Sequence, residues 1–333
     1  MISFIWPQGA AMLAGTGGSE TYTAGQVREL MRRGIDAQVI TFGHGIIDGR
    51  HDFTDVPFVA FDSADEISNL EGTVVFVNNA ANINVPTKNK ATIIFHCSLP
   101  RLDEKEAYQS YIVDKTIIAT SVYSGQQWAL FLGIPYSRIN IVLPFADPIY
   151  GEVKRSEPTQ KVRVLYAGRL HPDKGIYTIL EMMHQQEIRG EEYEVTIVTA
   201  GLHMEVGQEI NRMLTSYPYA KLIAAKKSVP AMAELLANSD ILLMPSVFAE
   251  PFGMLSVEAQ HAGCRVVASN VGGLPETNSG LLTLVEPRDP KALMIGIKQA
   301  VALGYSTAKE RNRAVEYFTL SESVDDLLEV ILT

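Results

Sequence analysis

The chain has 333 residues, 47% hydrophobic and 20% charged, and carries a formal net charge of −10. That is the composition of a folded globular protein longer than one typical core serves, so two domains are expected. The acidic balance argues against general nucleic-acid binding and does not favour docking on an anionic membrane.

No run reaches the roughly eighteen uninterrupted apolar residues that a bilayer span needs. The opening MISFIWPQGA lacks a charged segment followed by a long apolar one, and reads as a first strand rather than a signal peptide. Cys97 and Cys264 lie far apart in apolar settings. They are expected as free buried thiols in a reducing cytoplasm, with no disulfide framework and no metal-ligand spacing.

In chain order, a strand is expected at 2–6 and a helix at 19–33. Ser19 is a candidate N-cap for that helix. Tyr22, Gln26, Val27, Leu30 and Met31 recur at helical spacing until Gly34. Strands are expected at 37–42, 57–61, 73–78, 91–96 and 115–120, then a helix over 121–132 ending at Gly133. Residues 143–160 (LPFADPIYGEVKRSEPTQ) carry three prolines and no periodicity, which marks a linker. The alternation then restarts, with strands at 161–168, 193–199, 220–225, 240–244 and 265–269. Helices are expected at 174–188, 204–215, 230–238, 253–263, 290–303 and 321–331. Two blocks of strand–helix alternation predict an α/β protein of two doubly wound, parallel-sheet (Rossmann-like) domains facing a cleft. The expected divisions are 1–145, 146–310 and a terminal segment 311–333.

Open parallel sheets bind ligands beyond the carboxyl ends of their strands, so the strand-to-helix turns are where chemistry is sought. The first such turn, GTGGSE at 15–20, offers glycines for close backbone approach and the free N–H groups of a helix start. Its spacing is not the dinucleotide fingerprint, and a plain flexible turn is an equal reading. The second, AGRLHPDKG at 167–175, presents Arg169 and Lys174, which suit a diphosphate whose charge grows as its bond breaks. The third, AEPFGMLSVEAQHAGC at 249–264, places Glu250 ahead of a helix and Glu258 eight positions later. A carboxylate can accept hydrogen bonds from two sugar hydroxyls. Taken alone, a helix-start carboxylate and a solvated Glu explain the stretch as well. The fourth, FHCSLPR at 95–101, puts His96 at a strand end, where it is either a core histidine or a hydrogen-bonding partner for a substrate hydroxyl. The chain contains no Asp-x-Asp, G-x-S-x-G or G-x-x-x-x-G-K-[ST] element.

Together, YAGRLHPDKG (166–175), SVFAEPFGMLSVEAQHAGCRVVAS (246–269) and NVGGLPE (270–276), with GGSE (17–20) and His96, resemble the retaining GT-B glycosyltransferases of family 4, the glycosyl transferases group 1. The resemblance implies a GT-B fold with an N-terminal acceptor-side domain and a C-terminal nucleotide-sugar domain. It also implies a last helix, 321–331, that crosses back toward the first domain. It implies donor contacts at Gly17, Gly18, Val229, Phe252, Gly253, Met254, Leu255 and Glu258, and catalytic roles for His96, Arg169, Lys174 and Glu250. Glu20 and Asn79 are acceptor-side candidates. The implied reaction moves a sugar from a nucleoside-diphosphate sugar, with UDP the commonest donor nucleotide, to an acceptor hydroxyl with retention. No cofactor and no divalent metal is expected; the partners are a nucleotide sugar and a small-molecule or glycan acceptor. Two other readings stand beside it: a catalytically silent subunit of similar fold that binds a partner or a glycan, and a nucleotide-sugar epimerase or glycoside phosphorylase. Arg28, Arg32 and Arg33 cluster on one early helix, where an ordinary solvated face is the preferred reading over a lipid contact.

Overall fold

The structure is a computed structural model that describes residues 1–14, 17–42, 49–78, 84–185, 190–200, 204–225 and 228–332. It divides into two units, Met1–Phe145 with Leu320–Thr333, and Ala146–Thr319.

Unit 1 is built on strands β1 (Ile2–Ile5), β2 (Ala37–Phe42), β3 (Phe58–Phe61), β4 (Thr73–Val77), β5 (Thr92–Phe95), β6 (Thr116–Ala119) and β7 (Ile139–Ile141), with helices α1 (Gly18–Arg32), α2 (Lys105–Tyr111) and α3 (Val122–Leu132). All its pairings are parallel, in the order β3-β2-β1-β4-β5-β6-β7. Ile2 stands beside Ala37 on one side and Thr73 on the other. The central strands β1 and β5 are buried throughout, as expected of strands covered on both faces. One side of the sheet packs on a cluster in which Phe95 and Trp128 stack with centroids 3.7 Å apart.

Unit 2 follows with α4 (Ile149–Glu152), β8 (Val162–Ala167), α5 (Ile176–His184), β9 (Tyr193–Thr199), α6 (Glu205–Leu214), β10 (Ala220–Ala224), α7 (Val229–Ala237), β11 (Ile241–Met244), α8 (Met254–His261), β12 (Arg265–Ser269), β13 (Leu282–Val285), α9 (Pro290–Ala302) and α10 (Ala308–Ala314). Its sheet is parallel in the order β10-β9-β8-β11-β12-β13. The direction of winding reverses between β8 and β11, the place where such sheets open a crevice for ligand. Its core joins Ile176, Met182 and Met183 of α5 to Ile197, Leu243 and Val267 of the strands.

Helix α11 (Leu320–Leu332) belongs to unit 1 and packs on α1. Arg33, just past α1, ties the two together. Its guanidinium donates to Asp325 Oδ1 at 2.5 Å, to Ser321 O and Oγ at 2.9 Å each, and to Glu29 Oε1 at 2.8 Å. Arg28 pairs with Asp55, and Arg32 with Glu29. The arginine cluster is therefore spent on ion pairs within unit 1. Arg32 first, and then Arg33, hold the Glu29 carboxyl down at about 2.

Several expectations change. The helix predicted from 174 starts only at Ile176, because Gly175 is left-handed (φ +74°) and Lys174 sits in the short turn before it. Of its predicted end, residues 186–189 lie outside those described. Ser19 is not an N-cap: α1 starts at Gly18 with Gly17 as its cap, and the Ser19 hydroxyl meets His96 instead. The stretch 143–160 is no free linker, since Tyr150 and Arg155 are buried. The Arg155 guanidinium donates to Ser239 O at 2.8 Å and lies 4.2 Å over the Tyr305 ring. Proline spacing hid this because burial there comes from single large side chains and not from a periodic face. The edge strands β7 and β13 and the short helices α2 and α10 also escaped the sequence reading; each is too brief to display a period.

Candidate active site

In unit 2 the turns after β8 and β11 are locked together. Asp173 O accepts from Val247 N at 2.8 Å. A Cβ on Gly175 would fall 1.8 Å from Pro245 O, so only glycine allows the two turns to touch. That contact delivers Lys174 to the second turn. Its Nζ donates to Glu250 Oε1 at 2.7 Å and lies 4.8 Å over the Phe248 ring. Ser246 Oγ donates to the same oxygen at 2.6 Å. Glu250 is 7% exposed, and its Oε2 takes neither donor. A buried carboxylate with one oxygen held and the other left over is suited to accepting from a ligand hydroxyl. Arg169 is exposed on the same turn as Lys174, its carbonyl accepting the Tyr166 hydroxyl at 2.9 Å.

The GGLPE turn covers the back of Glu250. Gly273 N donates to Glu250 O at 2.7 Å, and a Cβ on Gly272 would sit 2.3 Å from that carbonyl. Gly253 caps α8 at φ +117°, and Phe252 is anchored against Phe318 at 5.6 Å. The N–H groups of Met254 and Leu255 open the helix, where no preceding turn supplies their carbonyl partners. Two turns on, Glu258 is buried. Burial drives its carboxyl from 4.5 up to about 7; the nearby Tyr150 hydroxyl opposes this, and the charge of Asp147 adds to it. Val229 begins α7, whose first turn Ser228 caps through Ala231 N at 3.4 Å.

In unit 1, Gly17 and Gly18 open α1, with Glu20 in its first turn. His96 follows β5 with its Nδ1 3.3 Å from Ser19 Oγ and its ring 4.5 Å from that of Tyr22. Burial pushes its pKa down to about 4, so the imidazole is neutral at ordinary pH. Its Nε2 is buried and has no hydrogen-bond partner among the described residues. Asn79 lies outside the described residues.

The structure thus brings Lys174, Glu250 and the α8 start together in unit 2, and groups Gly17, Gly18, Glu20 and His96 separately in unit 1. Sequence reading missed Ser246 and Tyr150. Ser246 stands four residues before Glu250, a spacing that carries no signal outside a helix; Tyr150 was hidden in the proline-rich stretch.

Residues 161–302 match the family model for glycosyl transferases group 1. Among curated proteins, the chain is 29% identical over 162 residues to a lipopolysaccharide 1,2-N-acetylglucosaminetransferase of Salmonella typhimurium, covering 46% of this chain and 41% of that one. It is 29% identical over 179 residues to a D-inositol 3-phosphate glycosyltransferase of Geodermatophilus obscurus, covering 50% and 39%. The chain spans about half the length of the curated relatives it matches. Among solved structures, a glycosyltransferase from Rickettsia africae superposes with a TM-score of 0.82 at 18% identity, over 99% of this chain and 97% of that one. The Anabaena protein HepE, solved with UDP, does so at 0.79 and 17%, over 98% of each. The two parallel-sheet units therefore have the GT-B fold, and the Lys174–Glu250–Glu258 site lies in the segment that matches glycosyl transferases group 1.

Proposed function

We propose that the protein is a glycosyltransferase that moves a sugar from a nucleoside-diphosphate sugar, a UDP-sugar, to an acceptor hydroxyl, with retention and without a divalent metal. The observation that carries this reading is Glu250, held on one oxygen by Lys174 and Ser246 at the switch point of unit 2. In the proposal, Oε2 of Glu250 accepts a hydroxyl of the transferred sugar. The N–H groups at Phe252, Gly253 and Met254 assist it. Arg169 and Lys174 neutralise the diphosphate as it departs, Leu255 and Glu258 meet phosphate and ribose, and Val229 flanks the base. Two fixed cations take the electrostatic part that a metal would otherwise play. For unit 1, the α1 N-terminus offers N–H groups to an anion, and His96, neutral and with Nε2 unpaired among the described residues, serves a sugar hydroxyl. No carboxylate is assigned as nucleophile, so the departing phosphate helps take the acceptor proton. UDP is supported by its presence in HepE; the protein is expected in the cytoplasm.

The test is a panel of UDP-, GDP-, ADP- and TDP-sugars with and without EDTA, read as donor hydrolysis, and with a matched acceptor as product stereochemistry by NMR. Turnover of one donor in EDTA with a retained product is expected. Inversion sinks the mechanism, and no turnover or binding of any donor favours the silent subunit.

A further inference from the structure

We propose that Gln260 is a positioning residue for the donor sugar, fixing the carboxylate of Glu250 relative to the start of α8; this rests on the glycosyltransferase reading above. Hydrogen bonds carry it. Gln260 lies in the last turn of α8 and is fully buried. Its Nε2 donates to Thr277 O at 2.8 Å and stands 3.2 Å from both Ser256 O and Ser256 Oγ. Its Oε1 accepts Ser279 N at 2.9 Å, and Ser279 Oγ and Leu281 N at 3.1 Å each. Main-chain N–H groups on one side and a carbonyl on the other admit only this orientation of the amide. A buried amide is costly unless its hydrogen bonds are all made, and here they are.

These bonds hold the segment 277–281, which follows directly on the GGLPE turn. Thr277 binds that turn again through its side chain, with Oγ1 2.8 Å from Leu274 O and 2.7 Å from Ser256 Oγ. The turn bears on the main chain of Glu250. The buried Gly273 N–H donates to Glu250 O at 2.7 Å. A Cβ on Gly272 would sit 2.3 Å from Glu250 O and 2.5 Å from its N, and one on Gly273 would sit 2.4 Å from Pro251 O. With backbone against backbone, a displaced turn carries Glu250 with it. Glu250 is thus held on two sides: Lys174 and Ser246 take its Oε1, and the GGLPE turn backs its main chain. Gln260, with Thr277, links that turn to α8.

The consequence is geometric. In the proposed reaction Glu250 Oε2 takes a hydroxyl of the sugar, while the N–H groups that open α8 face the phosphate. Transfer needs both halves of the donor at a fixed spacing, and a misplacement of about 1 Å can cost about 100-fold in rate. Helix α8 also packs on β11 and β12, which hold it independently of the turn. Loss of the Gln260 bonds therefore moves Glu250 and leaves the helix start in place. A side chain that merely filled the core would weaken nucleotide and sugar binding alike.

The test has two arms. In the unliganded protein, amide hydrogen exchange is followed by NMR in wild type, Gln260→Met and the milder Thr277→Val. Exchange at the Gly273 amide is expected to quicken about tenfold or more in both variants, with the amides of β12 unchanged. In the second arm, calorimetry measures UDP, GDP, ADP and TDP and the glucose, galactose and N-acetylglucosamine conjugates of each, and donor hydrolysis gives kcat and KM. Ile297→Val, a change in the buried face of α9, controls for plain loss of stability. Gln260→Met is expected to bind the free diphosphate within about twofold of wild type, to lose most of the affinity that the sugar adds, and to lower kcat about 10–100-fold. Ile297→Val is expected to keep the ratio of sugar-conjugate to diphosphate affinity. An unmoved Gly273 amide in both variants, or equal weakening of a diphosphate and its conjugate, overturns the positioning role while leaving the glycosyltransferase reading intact. Failure of wild type to bind any of the four diphosphates or their conjugates overturns both.

Discussion

Replacing Lys174 by Met removes the ammonium from Glu250 while keeping most of the side chain's length and apolar stem. The pair is 2.7 Å apart, with side-chain exposures of 22% for Lys174 and 9% for Glu250. Removing one partner of a fully buried pair costs about 3–5 kcal/mol, because the remaining charge is stranded. Two features lower that figure. Lys174 keeps some water, and Ser246 still donates to Oε1 at 2.6 Å. About 2–3 kcal/mol is the resulting estimate. For a unit the length of Ala146–Thr319, that lowers Tm by roughly 5–10 °C. Differential scanning calorimetry reads it directly, and Glu250→Gln together with the double substitution completes the cycle. The double variant is expected to recover about 1–2 kcal/mol relative to additivity. A Lys174→Met protein that melts within a degree of wild type, or a cycle with no coupling, refutes the claim that Lys174 holds Glu250.

Three other outcomes are expected. Gly175→Ala meets a left-handed backbone (φ +74°) and a carbonyl oxygen 1.8 Å from the new Cβ, and should destabilise unit 2 by at least about 2 kcal/mol in urea denaturation; a neutral result means that the two turns do not touch. Glu258 has its folded pKa raised from 4.5 to about 7, so its penalty on stability is absent below about pH 4.5, grows as pH rises through that window and is complete above pH 7. Glu258→Gln should therefore stabilise by an order of about 3 kcal/mol at pH 8 and by little at pH 4, and equal effects at both pH values contradict the buried assignment. Arg33→Met should speed hydrogen exchange in α11 selectively, because it loses Asp325 and Ser321 together; unchanged exchange shows that α11 docks through its apolar face alone.

The alternation of strands and helices, and the turns that carry Arg169, Lys174 and Glu250, were readable along the chain. They depend on short continuous apolar runs for the strands, on period-3.6 burial for the helices and on glycine at turn positions, all of which are local along the chain. Spacing also placed Glu258 on the helix that follows Glu250, where α8 carries it. What lay beyond the sequence were the partners. Lys174 and Glu250 are 76 positions apart and meet only because β8 and β11 are neighbours in the sheet. Helix α4, which carries Tyr150, packs on α8 from a stretch whose prolines pointed to a linker. His96 is made neutral by the burial and the α1 residues around it, which no spacing records. A side chain's type and place in its turn follow from neighbouring residues. Its charge state and hydrogen-bond partner follow from sheet order and burial, which only the folded chain creates.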